Sequence, residues 1–283
     1  MDINTIQTFL ELASTGNFSR VAERLHITQS TVSARIKVLE ERVNRKLFER
    51  TSIGVHLTPA GQRFHNYAVS IQQLWQQGQQ DLALPDGFDG MIGFGVHMNL
   101  WKRAFPGWIN WMRMHCPSLG ITVEMDYSER LTEKVSQGLL DVALTLMPRV
   151  LPGLHIEQFM DDKLIMVSHE PKTFDECNNL DYLYIDWSYG YREEHRQKLP
   201  HLHSATINLG LPEAALEYLL ENSGYAYLSL ADVQEYLDDK RLFAVAGAPS
   251  LNRPVYLIYP EKPVDKEQLD IAVNGLRAIL IKA

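Results

Sequence analysis

Residues 18–40 read Phe18-Ser19-Arg20-Val21-Ala22-Glu23-Arg24-Leu25-His26-Ile27-Thr28-Gln29-Ser30-Thr31-Val32-Ser33-Ala34-Arg35-Ile36-Lys37-Val38-Leu39-Glu40. Phe18, Val21, Ala22 and Leu25 recur at i, i+3, i+4 and i+7, the stripe of one buried helix face. After the short connection at His26-Ile27, Thr28 is placed to cap a further helix whose apolar face is Val32, Ile36 and Leu39. Two short amphipathic helices joined by a tight turn each bury one side and leave the other side of the second helix free. That free side offers Thr28, Gln29, Ser30, Thr31, Ser33, Arg35 and Lys37. Short hydroxyls and an amide at a helix N-terminus suit entry into a major groove, where Gln, Ser and Thr reach base edges while backbone N–H groups, Arg and Lys meet phosphates. The plainer reading is a solvated face on a small helical domain, and the charge distribution weighs against it.

The chain of 283 residues carries a formal charge of −8, which taken alone argues against a polyanionic partner. Residues 1–66, however, hold nine Lys/Arg (Arg20, Arg24, Arg35, Lys37, Arg42, Arg45, Lys46, Arg50, Arg63) against six acids, so this head carries +3 and the remainder −11. An acidic body with a basic head is the pattern of a molecule with one DNA-facing end.

Outward from this core, Ile3, Ile6, Leu10 and Ala13 fall at helical spacing and stop at Thr15-Gly16. On the other side, Leu47–Arg50 and Val55–Leu57 flank a short polar segment with Gly54, which reads as a two-stranded wing. Thr58-Pro59 supplies an N-cap and a first-turn proline for a helix predicted to run to about Leu84. Along it Phe64, Ala68, Ile71, Trp75, Gly78 and Leu82 form a heptad seam, the kind of face that is buried against another helix. Pro85-Asp86-Gly87 then marks a domain boundary.

Beyond it, strand-like runs (Met91–Val96, Ile121–Met125, Asp141–Leu146, Leu164–Ser168, Tyr182–Asp186, Thr206–Leu209, Tyr225–Leu228, Val255–Tyr259) alternate with helical ones (Asn99–Met114, Arg130–Gln137, Pro212–Glu221, Lys266–Lys282). The alternation predicts an α/β domain with largely parallel sheets. Ligands of such folds bind outside the carboxyl ends of strands, here His97-Met98-Asn99, Thr145-Leu146-Met147, Asp186-Trp187-Ser188, Gly210-Leu211 and Leu228-Ser229. Trp187, Tyr189, Tyr191 and His195 are candidates to wall that cleft, with core packing the competing reading for Trp187 and Tyr191. His195, His201 and His203 beside Glu193 and Glu194 raise a metal site, but irregular spacing and the Leu199-Pro200 break favour surface histidines. No metal and no cofactor is expected.

No Gly-x-Ser-x-Gly, phosphate-binding loop or His-Glu-x-x-His occurs, so the chain reads as a non-enzyme. Cys116 and Cys177 suit free thiols in a reducing compartment. The absence of a long apolar run and of a signal-peptide pattern gives a cytoplasmic expectation with no membrane partner.

Phe9, Gly16, Phe18, Ala22, Leu25, Thr28-Gln29-Ser30, Val32-Ser33, Ile36, Leu39-Glu40, Leu47-Phe48-Glu49-Arg50, Leu57-Thr58 and Ala60-Gly61 resemble, in order and spacing, the signature of LysR-type transcriptional regulators. The resemblance implies an α/β protein with an N-terminal winged helix-turn-helix (1–58), a linker and dimerisation helix with a hinge (59–87), and a periplasmic-binding-protein-like effector domain (88–283). The last would comprise two α/β subdomains, about 88–160 with 261–283, and about 161–260. It puts Gln29, Ser30, Thr31, Ser33 and Arg35 on the recognition helix, with Thr28 and Lys37 beside them, and Arg50 and His56 in the wing. Ala22 and Val32 become packing residues. Phe64, Ala68, Ile71, Trp75 and Leu82 fall on the dimer seam, and His97, Met98, Asn99, Thr145, Met147, Asp186, Trp187, Tyr191, His195 and Gly210 around the effector. Many members carry Ser or Thr just after the first effector-domain strand, where this chain has His97-Met98-Asn99. The segment Asp186–Tyr191 followed by His195 is similar to one in the branch of the family near HdfR. The implied partners are a double-stranded DNA operator, a small-molecule effector, RNA polymerase and further copies of the chain, as homodimer or homotetramer. The alternative is a ligand-independent repressor or architectural DNA binder whose cleft is vestigial, filled by Trp and Tyr.

Overall fold

Asp2 accepts the Thr5 N–H at 3.0 Å and opens helix α1 (Ile3–Thr15) in the computed structural model, which describes residues 2–51, 54–202 and 204–281. The chain divides into two compact units, Met1–Gly90 and Met91–Ala283.

In the first unit, α1 ends at Gly16, whose left-handed backbone (φ 61°) returns an N–H to Leu12. Asn17 caps α2 (Phe18–Arg24), and Thr28 caps α3 (Gln29–Val43). Ile6, Phe9 and Leu12 form the buried line of α1, with Ile3, Leu10 and Ala13 half-buried beside it. They meet Val21, Ala22, Val32, Ile36 and Leu39 in one core. Strands β1 (Phe48–Thr51) and β2 (Gly54–Leu57) pair antiparallel, Glu49 opposite His56 and Arg50 opposite Val55. The Val55 N–H donates to the Gly16 carbonyl at 3.1 Å, tying this wing to the end of α1. Residues 52 and 53 and the Arg50 side chain lie outside the described set.

Helix α4 (Pro59–Leu82) starts under the wing, with Thr58 accepting the Gly61 N–H at 3.0 Å and donating its hydroxyl to the Lys46 carbonyl at 2.7 Å. The heptad face is covered along its first half, and the covering helix belongs to the same chain. Phe64 meets Phe9 edge-on at 5.0 Å, Ala68 is fully buried, and Ile71 packs with them in the same core. A heptad spacing says that a face is covered but not by what, and along the first half of α4 the cover is α1 of the same chain. Trp75 and Leu82 remain 52% and 89% exposed, alongside the exposed Tyr67 and Leu74.

The second unit runs β3 (Gly90–His97), α5 (Trp101–His115), β4 (Leu119–Asp126), α6 (Ser128–Ser136), β5 (Val142–Thr145), β6 (Leu154–Ser168), β7 (Tyr182–Ile185), α7 (Tyr189–Lys198), β8 (Ile207–Leu209), α8 (Pro212–Glu221), β9 (Tyr225–Ser229), α9 (Leu230–Asp238), β10 (Phe243–Ala244), β11 (Leu251–Pro260) and α10 (Lys266–Leu280). Among the described residues the sheet order is β4-β3-β5-β11-β6-β9-β7-β8, with β10 on β6. β3 with β5, and β7 with both β8 and β9, are parallel, but β11 runs antiparallel to β5 and β6, and β6 antiparallel to β9 and β10, so the sheet is mixed where a largely parallel one was expected. The long pair β6/β11 is antiparallel and joins the two halves, with a register shift between Val255 and Tyr256.

That pair creates two lobes. Tyr256–Ile258 pair with β5 in the first lobe, and Leu164–Ser168 pair with β9 in the second. The return strand therefore re-enters the first sheet at residue 256, earlier than the boundary at 260 read from sequence. In the first lobe α5 and α10 cover one face through Phe94, Trp108, Met112, Leu257 and Leu276, and α6 covers the other through Leu131 and Val135. The second lobe closes around Leu183, Ala215, Leu219, Tyr225, Tyr227 and Val233.

Candidate nucleic-acid interface and ligand cleft

The exposed end of α3 is built by Thr28. Its Oγ1 accepts the Thr31 N–H at 3.2 Å and lies 2.8 Å from both the Ser30 and Thr31 hydroxyls. Gln29, Ser30 and Lys37 are exposed, and Thr31 and Ser33 half-exposed, so a polar surface stands at the positive end of a helix. Lys37 reaches Glu41 one turn on, at 3.8 Å. Arg35 departs from the expectation: it is half-buried and donates to the Thr8 hydroxyl at 3.1 Å, bracing α3 against α1. Its position, two beyond Ser33, turns it toward α1 and off the free side. In the wing His56 is exposed.

The turn from α3 into the wing is held by Glu40. This buried carboxylate accepts the N–H groups of Leu47 (2.8 Å) and Phe48 (3.2 Å) and the Lys46 ammonium (2.7 Å). Burial opposes its ionisation, but Lys46 and the two backbone donors outweigh that and hold the carboxyl below its ordinary range. The wing and α3 are thus fixed as one piece.

In the second unit a cavity of about 490 Å³ opens between the lobes at the carboxyl ends of the strands. Of the residues anticipated there, His97, Asn99, Met147, Asp186, Trp187 and Gly210 line it. His97 is nearly buried, and its Nδ1 accepts the Asn99 N–H at 3.2 Å. Burial, and then the Arg253 charge, push its pKa down to about 4, so it is neutral at pH 7. With Nδ1 accepting, the proton sits on Nε2. Asp186 pairs with Arg192 at 3.1 Å. Trp187 donates its indole N–H to the Tyr227 carbonyl at 3.1 Å.

Four anticipated residues do not reach this cavity. Met98 is half-buried outside its lining, and Thr145 is fully buried in β5. Tyr191 and His195 sit on the inner face of α7, four residues apart, and both enter the core of the second lobe. His195 is 2% exposed, with Nε2 2.9 Å from the Tyr182 hydroxyl inside a cluster of Tyr184, Tyr191 and Tyr227 rings. It is thus not the surface histidine expected, whereas His201 is exposed and His203 lies outside the described residues.

Sequence reasoning also missed part of the lining. Tyr127, Ser128 and Glu129 follow β4, and Arg149 and Arg192 complete the wall. The first three had a signal, since they follow the strand-like run Ile121–Met125, whose end was left out of the count. Nothing in residue type alone marks the two arginines.

Behind the cavity lies a buried ionic cluster that no motif announced. Arg253 is 1% exposed, donates Nη2 to Asp162 Oδ2, and stacks on Trp187 with its guanidinium carbon 4.1 Å from the ring centre. Asp162 Oδ1 accepts from Arg103 at 3.0 Å and from the Ser229 hydroxyl at 2.6 Å. Arg253 Nε and Nη1 have no partner among the described residues.

A small polar helix end on a basic unit, followed by a two-lobed α/β unit with an interlobe cavity, is a bipartite arrangement that comparison with known proteins identifies. Residues 3–62 match the family described as "Bacterial regulatory helix-turn-helix protein, lysR family", and residues 85–277 match the "LysR substrate binding domain". The chain belongs to the LysR family. As a LysR-family member it is a DNA-binding transcriptional regulator with an effector-binding domain, not an enzyme. The HTH-type transcriptional regulator HdfR of Yersinia enterocolitica is 25% identical over 269 residues, covering 92% of this chain and 90% of the relative. HdfR of Salmonella typhimurium is 25% identical over 263 residues, covering 92% of each. Among solved structures, CbnR, a LysR family transcriptional regulator, shares the fold with a TM-score of 0.72 at 17% identity, covering 98% of this chain and 99% of that one. Vibrio fischeri DarR in complex with DNA gives 0.60 at 21% identity, covering 98% of each chain. Among the described residues, no helix of this LysR-family chain is long and apolar enough to cross a membrane.

Proposed function

We propose that this LysR-family chain works in the cytoplasm as a homo-oligomer that reads an operator through the exposed end of α3 and answers a small molecule held in the interlobe cavity. The observation that carries the DNA reading is the solvent-facing Thr28–Ser33 surface at the capped start of α3. Gln29, Ser30 and Ser33 are the base readers, Thr28 and Thr31 order the helix end, and Lys37, Arg50 and His56 serve the backbone. Arg35 supports α3 from behind. RNA polymerase is the further partner through which such a DNA-bound assembly acts.

The test is binding to genomic fragments selected by the purified protein, set against random DNA. Gln29→Ala and Ser33→Ala each lower discrimination by about 1–3 kcal/mol while leaving affinity for random DNA unchanged. Equal discrimination by wild type and both variants overturns the assignment.

For assembly, the exposed Tyr67, Leu74 and Trp75 on the second half of α4 form the pairing surface, in place of Phe64, Ala68 and Ile71, which α1 already covers. Trp75→Asp shifts the protein toward monomer in sedimentation, with dimer affinity weakened by about 100-fold or more. A Trp75→Asp protein that sediments as wild type removes this surface.

The open cavity favours a ligand-responsive regulator over one with a filled, vestigial cleft, because Tyr191 lies in the core and leaves the space unoccupied. A ligand bound to both lobes favours whichever lobe arrangement holds it more tightly.

A further inference from the structure

On the other side of the Arg253–Asp162 pair lies a second cavity, of about 270 Å³, which shares no lining residue with the first. Its size is just below the roughly 300–1,000 Å³ of drug-sized sites, fitting a small metabolite. Lys102 and Arg103, in the first turn of α5, supply one wall from the first lobe. Glu213 on α8 and Asp232 on α9 supply another from the second lobe, above a floor of Leu216, Leu228 and Val233.

The carboxylates are short of partners. Among the described residues neither the Asp232 nor the Glu213 carboxylate makes a hydrogen bond or an ion pair, the bonds of both residues being those of the helix backbone. Burial, and then the Asp162 charge, push the Asp232 pKa up to about 6, although Arg103 and Arg253 pull the other way. The cationic side is short of anions as well. Arg103 and Arg253 share the single carboxylate of Asp162, and the fully buried Arg253 keeps two nitrogens unpartnered while its charge acts on Asp232. The N-caps of α5, α8 and α9 (Leu100, Leu211, Ser229) give no side-chain capping bond, since the two leucines have no acceptor and the Ser229 hydroxyl donates to Asp162.

We propose that this second cavity binds an α-amino acid with an apolar side chain. A simple anion entering it meets Asp232 and Glu213, and a simple amine meets Lys102 and Arg103. A zwitterion satisfies both walls: its carboxylate lies on Arg103 and Lys102, its ammonium on Asp232 with Glu213, and its side chain on Leu216, Leu228 and Val233. The partners come from both lobes, so occupancy favours the lobe arrangement in which they face one another. The site is separate from the cavity assigned to the effector above.

The experiment is calorimetry and thermal unfolding of the full chain with leucine, beside 3-methylbutylamine and 4-methylpentanoate, which each keep one of its charges. Leucine binds saturably and raises Tm, and each analogue binds at least about tenfold more weakly. Asp232→Asn and Arg103→Met abolish the leucine response, and Glu213→Gln weakens it. Asp232→Asn removes a charge that burial already disfavours, so it folds and keeps the test decisive. Asn99→Ala, in the first cavity, leaves the response intact. No saturable binding of leucine, valine or methionine overturns the proposal. So does binding that survives Asp232→Asn but is lost in Asn99→Ala, an outcome that returns the ligand to the first cavity and leaves the effector reading standing.

Discussion

Asp162→Asn destabilises the two-lobed unit by about 3–5 kcal/mol. The carboxylate is 2% exposed and accepts from Arg253, Arg103 and Ser229 at once. An amide of the same shape withdraws the negative charge and turns one acceptor into a donor facing donors. Arg253, 1% exposed and with two nitrogens already lacking acceptors, is then a buried cation with nothing to offset it. Urea unfolding followed by intrinsic fluorescence reads this unit, because Trp101, Trp108, Trp111 and Trp187 belong to it and only Trp75 does not. Adding Arg253→Met to Asp162→Asn recovers part of the loss, since removing both partners of a buried pair costs far less than removing one. A single variant within about 0.5 kcal/mol of wild type, the range of ordinary surface substitutions, contradicts this account.

The second large effect is expected at Gly61. A Cβ there stands 2.1 Å from the Leu47 carbonyl oxygen and 2.9 Å from Leu57 Cδ2. The carbonyl has no room to retreat, because it accepts the Thr58 N–H at 3.0 Å while Thr58 also grips the Lys46 carbonyl. Gly61→Ala therefore separates the start of α4 from the wing, at about 3 kcal/mol or more once overpacking and a broken hydrogen bond are combined. Hydrogen exchange reports it locally: protection at Thr58 and Gln62 falls, and DNA affinity drops on every sequence because the wing is displaced. Wild-type protection at both amides in Gly61→Ala contradicts the close approach.

The N-terminal unit was largely legible because its helices are short, amphipathic and capped by residues whose chemistry is local. Thr28, Gly16 and Pro59 act within a few residues of themselves, and Val32, Ile36 and Leu39 carry one face without ambiguity. The partner of a face is another matter. Phe64, Ala68 and Ile71 repeat as a subunit seam does, yet α1 covers them, and spacing along one helix holds no information about the neighbour.

In the second unit, strands buried on both faces, such as Phe94–Val96 or Tyr225–Leu228, announced themselves as apolar runs. The first ten residues of β6 did not, because His155, Glu157, Gln158, Asp161, Asp162 and Lys163 break up the apolar residues on a strand that is open to solvent for part of its length. Helix α7 was missed for a similar reason. Tyr189–Lys198 is polar nearly throughout, so the inward turn of Tyr191 and His195 shows only once the helix is formed. Of the ten residues anticipated for the cleft, the six that line the cavity all come from strand ends, since the fold delivers those loops to one edge. Asp162 and Arg253 escaped because they face each other across two strands that lie about 90 residues apart in the chain.

Those two strands impose a mechanical consequence. The backbone passes from the first lobe to the second along β6 and returns along β11, and these crossings are hydrogen-bonded neighbours, so the lobes hang on a single two-strand ribbon. Any opening of the domain is then a twist or bend of that ribbon, which the irregularity at Val255/Tyr256 makes most pliable at its middle. Arg253 and Asp162 sit beside that axis, where displacement is smallest, while the Asp186 and Met147 rims swing furthest. The ionic pair thus acts as a pivot pin that travels little as the jaws move.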